Sequence, residues 1–219
     1  MSVSELWAEY GNMYLQALLS TWGMTAISFV GCMIVATIVT VMRVSPIRPL
    51  RALGDFYVQV FRNIAGISLL IIIVYALPSL GLVIPYRTSV IVAVILVASS
   101  FGSENFMSGI NTIGVGQIEA ARSLGLTFGQ MLRRIVIPQA LRSAILPMTN
   151  LLIAVMLTTA LGSQVPMAPP ELTGLVSYIN TRTTGGITTF LISALMYVGT
   201  AVVIGYVGNR IDQRVRVHR

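Results

Sequence analysis

Five long apolar stretches divide the chain, at about 15–42, 56–77, 89–110, 145–165 and 187–207. Each is long enough to cross a bilayer as a helix, which takes roughly 20 residues and somewhat more when tilted. The pattern predicts an all-α membrane protein with five transmembrane helices. The second and third stretches are joined by a short link from Pro78 to Arg87, whose prolines Pro78 and Pro85 suit a tight turn. The link at 166–186 holds Pro166, Pro169, Pro170, Gly185 and Gly186, and a short surface helix is expected at about 171–180, after the proline pair. No internal repeat or low-complexity stretch interrupts this plan.

Composition supports the plan and narrows the function. The 219 residues are 55% hydrophobic and 10% charged, with a mean hydropathy of +0.84. A soluble domain carries roughly 25% charge, so this chain is too poor in charge to solvate its own surface. Five spans also leave no room for a soluble catalytic domain. Cys32 is the lone cysteine and His218 the lone histidine, which excludes an internal disulfide and a cysteine or histidine metal cage. Glu5 and Glu9 precede the first apolar stretch without a basic region, unlike a cleaved signal peptide.

The formal charge is +7, and every basic residue is arginine. In so apolar a chain, loop arginines are topology determinants rather than a nucleic-acid patch, and no nucleic acid is expected as a partner. Arg43, Arg48 and Arg51 follow span one; Arg122, Arg133, Arg134 and Arg142 separate spans three and four; Arg210, Arg214, Arg216 and Arg219 follow span five. All three groups fall on one side of a five-span chain, against Arg87 and Arg182 on the other. The positive-inside rule makes the first side the cytoplasm, with the N-terminus outside and the C-terminus inside.

The most informative segment is the cytoplasmic loop, about 113–142. Glu119 to Leu124 are good helix formers with the acid at the start, where the helix dipole favours it, and Glu119 is expected to cap or pair locally. Gly125 ends or bends that helix. Phe128, Met131, Leu132, Ile135 and Val136 then follow at helical spacing, with Arg133 and Arg134 before Pro138. Two short helices meeting at a glycine elbow are predicted, with Ala120 and Ala121 as a small face for close approach to a groove. A connector of this length tends to be functional.

Glu119-Ala120-Ala121, three residues, Gly125, nine residues, Ile135, one residue, Ile137 and Pro138 resembles the EAA loop of bacterial ABC-importer permeases, with Ile137 in place of leucine. Gly116-Gln117 before it, Arg122-Ser123-Leu124-Gly125-Leu126 within it and Pro138-Gln139-Ala140-Leu141-Arg142 after it look like the polar amino-acid (glutamate/histidine-type) subfamily. Met42-Arg43-Val44-Ser45-Pro46 and Ser108-Gly109-Ile110 are similar to actinobacterial glutamate-type permeases. The resemblance runs from about Gly23 to Asn150. It implies a type I ABC-importer permease fold in a single transmembrane domain over 1–219, with the loop inserting into a cleft of a cytoplasmic ATPase. Glu119, Ala120, Ala121, Arg122, Ser123, Leu124, Gly125, Leu126 and Pro138 would be the coupling residues.

Implied partners are a cytoplasmic ABC ATPase dimer, which binds the ATP and magnesium, a second permease subunit (a paralogue or an identical copy), an extracytoplasmic substrate-binding protein and the lipid bilayer. This chain binds no cofactor of its own. It has no Walker A pattern and no lysine to supply one, so it is not itself the enzyme.

Two ionisable residues lie within predicted spans, Arg62 and Glu104, each about 10 Å from the cytoplasmic end. An intramembrane charge is costly and usually faces the bundle interior. Three readings are open: pairing with each other, contact with a substrate carboxylate and ammonium, or snorkelling to the interface. The candidate substrate path comprises Arg62, Asn63, Glu104, Asn150, Thr158 and Thr159. Two departures from the family bear on it. Ile64-Ala65-Gly66 stands where Thr-Pro-Leu is usual after Phe61-Arg62-Asn63, and Leu157 stands where a lysine is usual. These point to the less ligand-competent member of a heterodimeric pair. The 11 methionines and 19 glycines read as packing.

The function expected is the membrane subunit of an ATP-driven importer for a polar amino acid, glutamate or a relative. The alternatives are an ABC permease for an osmolyte or methionine, an ion-coupled secondary transporter, and a non-transporting membrane scaffold. A secondary transporter would call for paired repeats and several coupling carboxylates.

Overall fold

The computed structural model describes residues 3–183 and 186–215; Gly185 and the tail residues Arg216, His218 and Arg219 lie outside the described residues. Nine helices account for nearly all of it: α1 Val3–Val44, α2 Arg48–Asn63, α3 Gly66–Ser79, α4 Tyr86–Asn111, α5 Val115–Ser123, α6 128–143, α7 Ile145–Gln164, α8 Leu172–Asn180 and α9 Gly186–Val215. No strand occurs among the described residues.

Helices α1, α4, α7 and α9 are each long and apolar enough to cross a membrane. The expected second span, 56–77, is not one continuous helix. It begins earlier, at Arg48, and breaks at Ile64 and Ala65, where α2 and α3 meet at 99°. Ile64 and Ala65 adopt extended backbone, and the Asn63 amide turns back onto the Gln59 carbonyl at 2.6 Å. Asparagine competing for backbone partners, followed closely by glycine, weakens helix propagation here. A fifth crossing therefore exists only as a broken pair.

Apolar periodicity missed a second device. Pro78 lies inside the last turn of α3 rather than in the turn after it, and α6 runs straight through Pro138. Each proline follows a widened turn, at Ile72–Ala76 and Leu132–Val136, where Leu77 and Ile137 donate to carbonyls five residues back, Ile72 and Leu132. Proline lacks an N–H and its ring crowds the carbonyl four residues earlier, and opening the helix by one residue relieves both.

Helix α1 has 42 residues, about 63 Å of helix, roughly twice the hydrocarbon thickness. Its N-terminal part packs Leu6 and Tyr14 against Leu172, Leu175 and Ile179 of α8. The expected surface helix is thus α8, but it is embedded: those three residues are fully buried. Glu171 anchors its start, accepting from the backbone N–H groups of Thr173 at 2.7 Å and Gly174 at 2.6 Å and from the Tyr197 hydroxyl at 3.0 Å. Burial pushes the Glu171 carboxyl above its usual range, opposed by those N–H donors. At the same end, Arg87 donates to Ser20 Oγ and to the Pro169 carbonyl, both at 3.0 Å.

The main core lies between α1, α3, α4 and α7, with Cys32, Ala36, Leu70, Ile73, Val94, Ala98, Leu151 and Val155 at its centre. Helix α9 packs along α7 and leaves most of its apolar surface outward. Outward apolar side chains are the expected state of a helix bundle solvated by lipid.

Candidate functional site

The loop between α4 and α7 is a closed hairpin of α5 and α6. Helix α5 ends in a Schellman arrangement: Gly125 N–H donates to the Arg122 carbonyl at 2.9 Å and Leu126 N–H to the Ala121 carbonyl at 3.1 Å. Gly125 has φ +72°, which a residue with a Cβ adopts only at a cost. Thr127 then starts α6 through a capping box, its hydroxyl accepting from Gln130 N–H while the Gln130 side chain accepts from Thr127 N–H. The Thr-x-x-Gln signal for this cap is present in the sequence directly after the glycine elbow.

The hairpin has its own small core of Ile113, Ala121, Met131 and Val136. Gln139 Nε2 donates to Gln117 Oε1 at 2.9 Å across it. The two alanines expected to form one small face are divided by this core. Ala121 is 2% exposed and holds the hairpin together, whereas Ala120 faces outward. The outward face of α5 also carries Val115, Glu119, Arg122 and Ser123, and it ends on Leu124, which is 81% exposed. Glu119 does not cap or pair locally: its carboxylate is exposed with no side-chain partner among the described residues. The acid is one turn too far along α5 to reach the helix's first N–H groups. Pro138 sits in α6, exposed, beyond the widened turn.

The hairpin is seated on α4. A Cβ on Gly109 would lie 2.7 Å from the Ala140 carbonyl oxygen, so α4 and α6 touch backbone to backbone at this point. Thr112 and Ser143 hydroxyls meet nearby at 3.3 Å. No side chain separates the two backbones at this contact.

Above the hairpin, four charges join α1, α2 and α4. Arg43 Nε donates to Asp55 Oδ1 at 2.9 Å, and its terminal nitrogens reach Glu104 Oε1 at 3.1 Å and Ser103 Oγ at 3.2 Å. Arg62 lies 3.7 Å from the same Glu104 oxygen. Arg43 is 13% exposed and Arg62 49%, so Arg43 is the structural partner and Arg62 the looser one. Sequence reasoning counted Arg43 as a topology signal and did not consider Asp55. Only the turn at 45–47 and the crossing of α2 over α1 bring those residues to Glu104.

The expected path residues do not form one cluster. Asn150 and Thr158 line a groove of about 470 Å³ between α4 and α7, together with Phe101, Asn105 and Pro147. Asn105, whose amide donates to the Pro147 carbonyl at 3.3 Å, was not singled out, although an amide inside an apolar span is a visible signal. Arg62 and Glu104 belong to the charge cluster instead, and Asn63 lies exposed at the α2–α3 break. Thr159 is fully buried and bonds back to the Met156 carbonyl at 2.6 Å, because the chain tightens into a 3-10 turn there and rotates it away from the groove. No group of three or more metal-ligating side chains occurs among the described residues.

Comparison with known proteins places this architecture. The glutamate transport system permease protein GluC of Corynebacterium glutamicum is 39% identical over 182 residues, 78% of this chain and 80% of that protein. The probable glutamine ABC transporter permease protein GlnM of Bacillus subtilis is 33% identical over 150 residues, 68% of this chain and 69% of that protein. The crystal structure of an amino acid ABC transporter with histidines shares the fold, with a TM-score of 0.90 at 24% identity over 98% of this chain and 99% of that one. The model of the family described as "Binding-protein-dependent transport system inner membrane component" matches residues 32–217. With that match spanning most of its length, this multi-pass chain belongs to the family of binding-protein-dependent transport system inner membrane components.

Proposed function

We propose that this chain is the membrane-spanning subunit of an ATP-driven importer for a polar amino acid, glutamate or a close relative. The observation that carries the reading is a hairpin with its own small core, seated backbone to backbone on a transmembrane helix and with an exposed apolar residue, Leu124, at the end of α5. The cargo class rests on the relatives, whose names specify glutamate and glutamine.

In this reading the outward face of α5 docks in a cleft of a separate ATPase, which binds ATP and magnesium and performs the hydrolysis. A second permease subunit completes the pathway, and an extracytoplasmic binding protein delivers the cargo at the α8 end. The arginine distribution supports a cytoplasmic loop, with the N-terminus outside and the C-terminus inside. Closure of the ATPase dimer pushes the hairpin, and the Gly109 contact passes that motion to α4, which forms one wall of the Asn105, Asn150 and Thr158 groove. The groove alternates its access, and Arg62, held less closely than Arg43, is the charge left to meet a passing carboxylate.

The test is uptake of labelled glutamate and glutamine by proteoliposomes containing the whole transporter. ATP-dependent, vanadate-sensitive uptake of one of them is the expected result. Uptake driven by an ion gradient without ATP would overturn the reading.

A further inference from the structure

Helix α6 carries two different cavities side by side. One, of about 250 Å³, is an apolar groove against the ends of α1 and α4, with Val41, Phe106, Ile110, Leu132, Ile137 and Leu141 among its walls. The other is a polar depression of about 560 Å³ formed by Gly129, Gln130, Arg133 and Arg134. Leu132 of the first and Arg133 of the second are consecutive residues.

The apolar groove is continuous with lipid-facing surface. Ile27, Val30, Ile34, Ile38 and Val41 recur on one face of α1, all of them exposed. This stripe belongs to a helix long and apolar enough to span, so hydrocarbon rather than water runs along it to the groove mouth at Val41. The basic depression complements that slot. Arg133, Arg134 and the following Arg142 have no carboxylate partner among the described residues, and Glu119 is the only acid between Gly109 and Asn150.

We propose that α6 binds an anionic glycerophospholipid of the adjoining leaflet, with an acyl chain in the α1–α4–α6 groove and its phosphate on Arg133 and Arg134. Arginines beside a crevice between transmembrane helices favour an anionic headgroup through charge and donor geometry. The bound lipid bridges the long outer helix to the hairpin, so leaflet composition sets how firmly the hairpin is seated. The inference does not depend on the cargo.

Native mass spectrometry of the permease in its complete transport complex tests it, with added phosphatidylglycerol or phosphatidylcholine. The expected result is retention of phosphatidylglycerol with a preference of roughly tenfold. The double change Arg133→Gln, Arg134→Gln abolishes the preference, and Val41→Trp, which blocks the groove mouth, abolishes retention. Helical circular dichroism and subunit recovery are read for each variant, and Leu141→Trp replaces any groove variant that fails to fold. Equal retention of both lipids overturns the proposal, as does unchanged phosphatidylglycerol retention in either variant. Displacement of the lipid by soluble glycerophosphoglycerol overturns the groove. Loss of the ATPase subunit from the arginine variant with lipid retention intact assigns the arginines to the ATPase, and also overturns it.

Discussion

Arg43 at the end of α1 donates to Glu104 of α4 at 3.1 Å while its Nε holds Asp55 of α2 at 2.9 Å. One guanidinium thereby fixes the relative positions of three helices. Removing it leaves two carboxylates facing each other with only Arg62 at 3.7 Å to offset them. Arg43→Met is expected to cost about 1–3 kcal/mol, less than for a fully buried pair because Glu104 is a third exposed. Arg62→Gln is expected to cost under about 1 kcal/mol. Thermal unfolding in detergent compares them, and an equal loss from both would contradict this division of roles.

Arg62→Gln should instead depress uptake while stability holds. Asn150→Leu, in the α4–α7 groove, should raise the KM for uptake roughly tenfold, as expected for a lost polar contact of about 1.4 kcal/mol. Thr159→Val, outside the groove, should leave KM unchanged. Leu157→Lys is expected to change which amino acid is preferred. Unchanged selectivity in that variant removes the argument that this subunit is the less ligand-competent of a pair.

Gly125→Val places a branched side chain at φ +72° and should cost about 1–2 kcal/mol of local strain. The permease should still insert, but ATP hydrolysis by the complex should no longer drive uptake. Measuring both rates in the same proteoliposomes checks this, and normal uptake would count against the docking role.

Gly109→Ala tests the transmission contact. The added methyl would lie 2.7 Å from the Ala140 carbonyl oxygen, which is backbone and cannot rotate away. Overpacking of this kind costs about 1–3 kcal/mol. Uptake should fall more than ATPase activity does, and a proportional fall in both would argue against α4 as the moving element.

At the opposite end, Glu171→Ala should destabilise the α8 segment by about 1–2 kcal/mol through loss of its cap. Burial raises the Glu171 carboxyl, so the folded protein holds this proton more tightly than the unfolded chain. That contribution is fully present below the ordinary value of 4.5 and is lost as the pH rises through the folded value. The gap between wild type and Glu171→Ala should therefore narrow with rising pH, as read by unfolding midpoints.

The elements that rest on local chemistry were legible residue by residue. A span announces itself because backbone in hydrocarbon must bond internally over an unbroken apolar length. The elbow at Gly125 is visible because a positive φ is cheap only for glycine. Asn150 and Thr158 were reachable as polar residues in apolar spans. The errors arose where a local signal has two structural outcomes. Pro78 read as part of a tight turn, yet a widened turn lets a helix pass through proline there, as it does at Pro138. Ala120 and Ala121 read as one face because adjacent small residues look alike until the hairpin closes and buries one of them.

By itself, then, the sequence determined that the chain is helical, lies in a membrane, and presents a glycine-jointed polar loop, since each of these follows from composition, periodicity or a single backbone preference. Only the tertiary structure decided that α2 and α3 bend by 99°, that Arg43 rather than Arg62 is the close partner of Glu104, and that Thr159 turns away from the groove. Those outcomes depend on how helices distant in sequence cross and pack, and no residue's own propensity encodes the crossing.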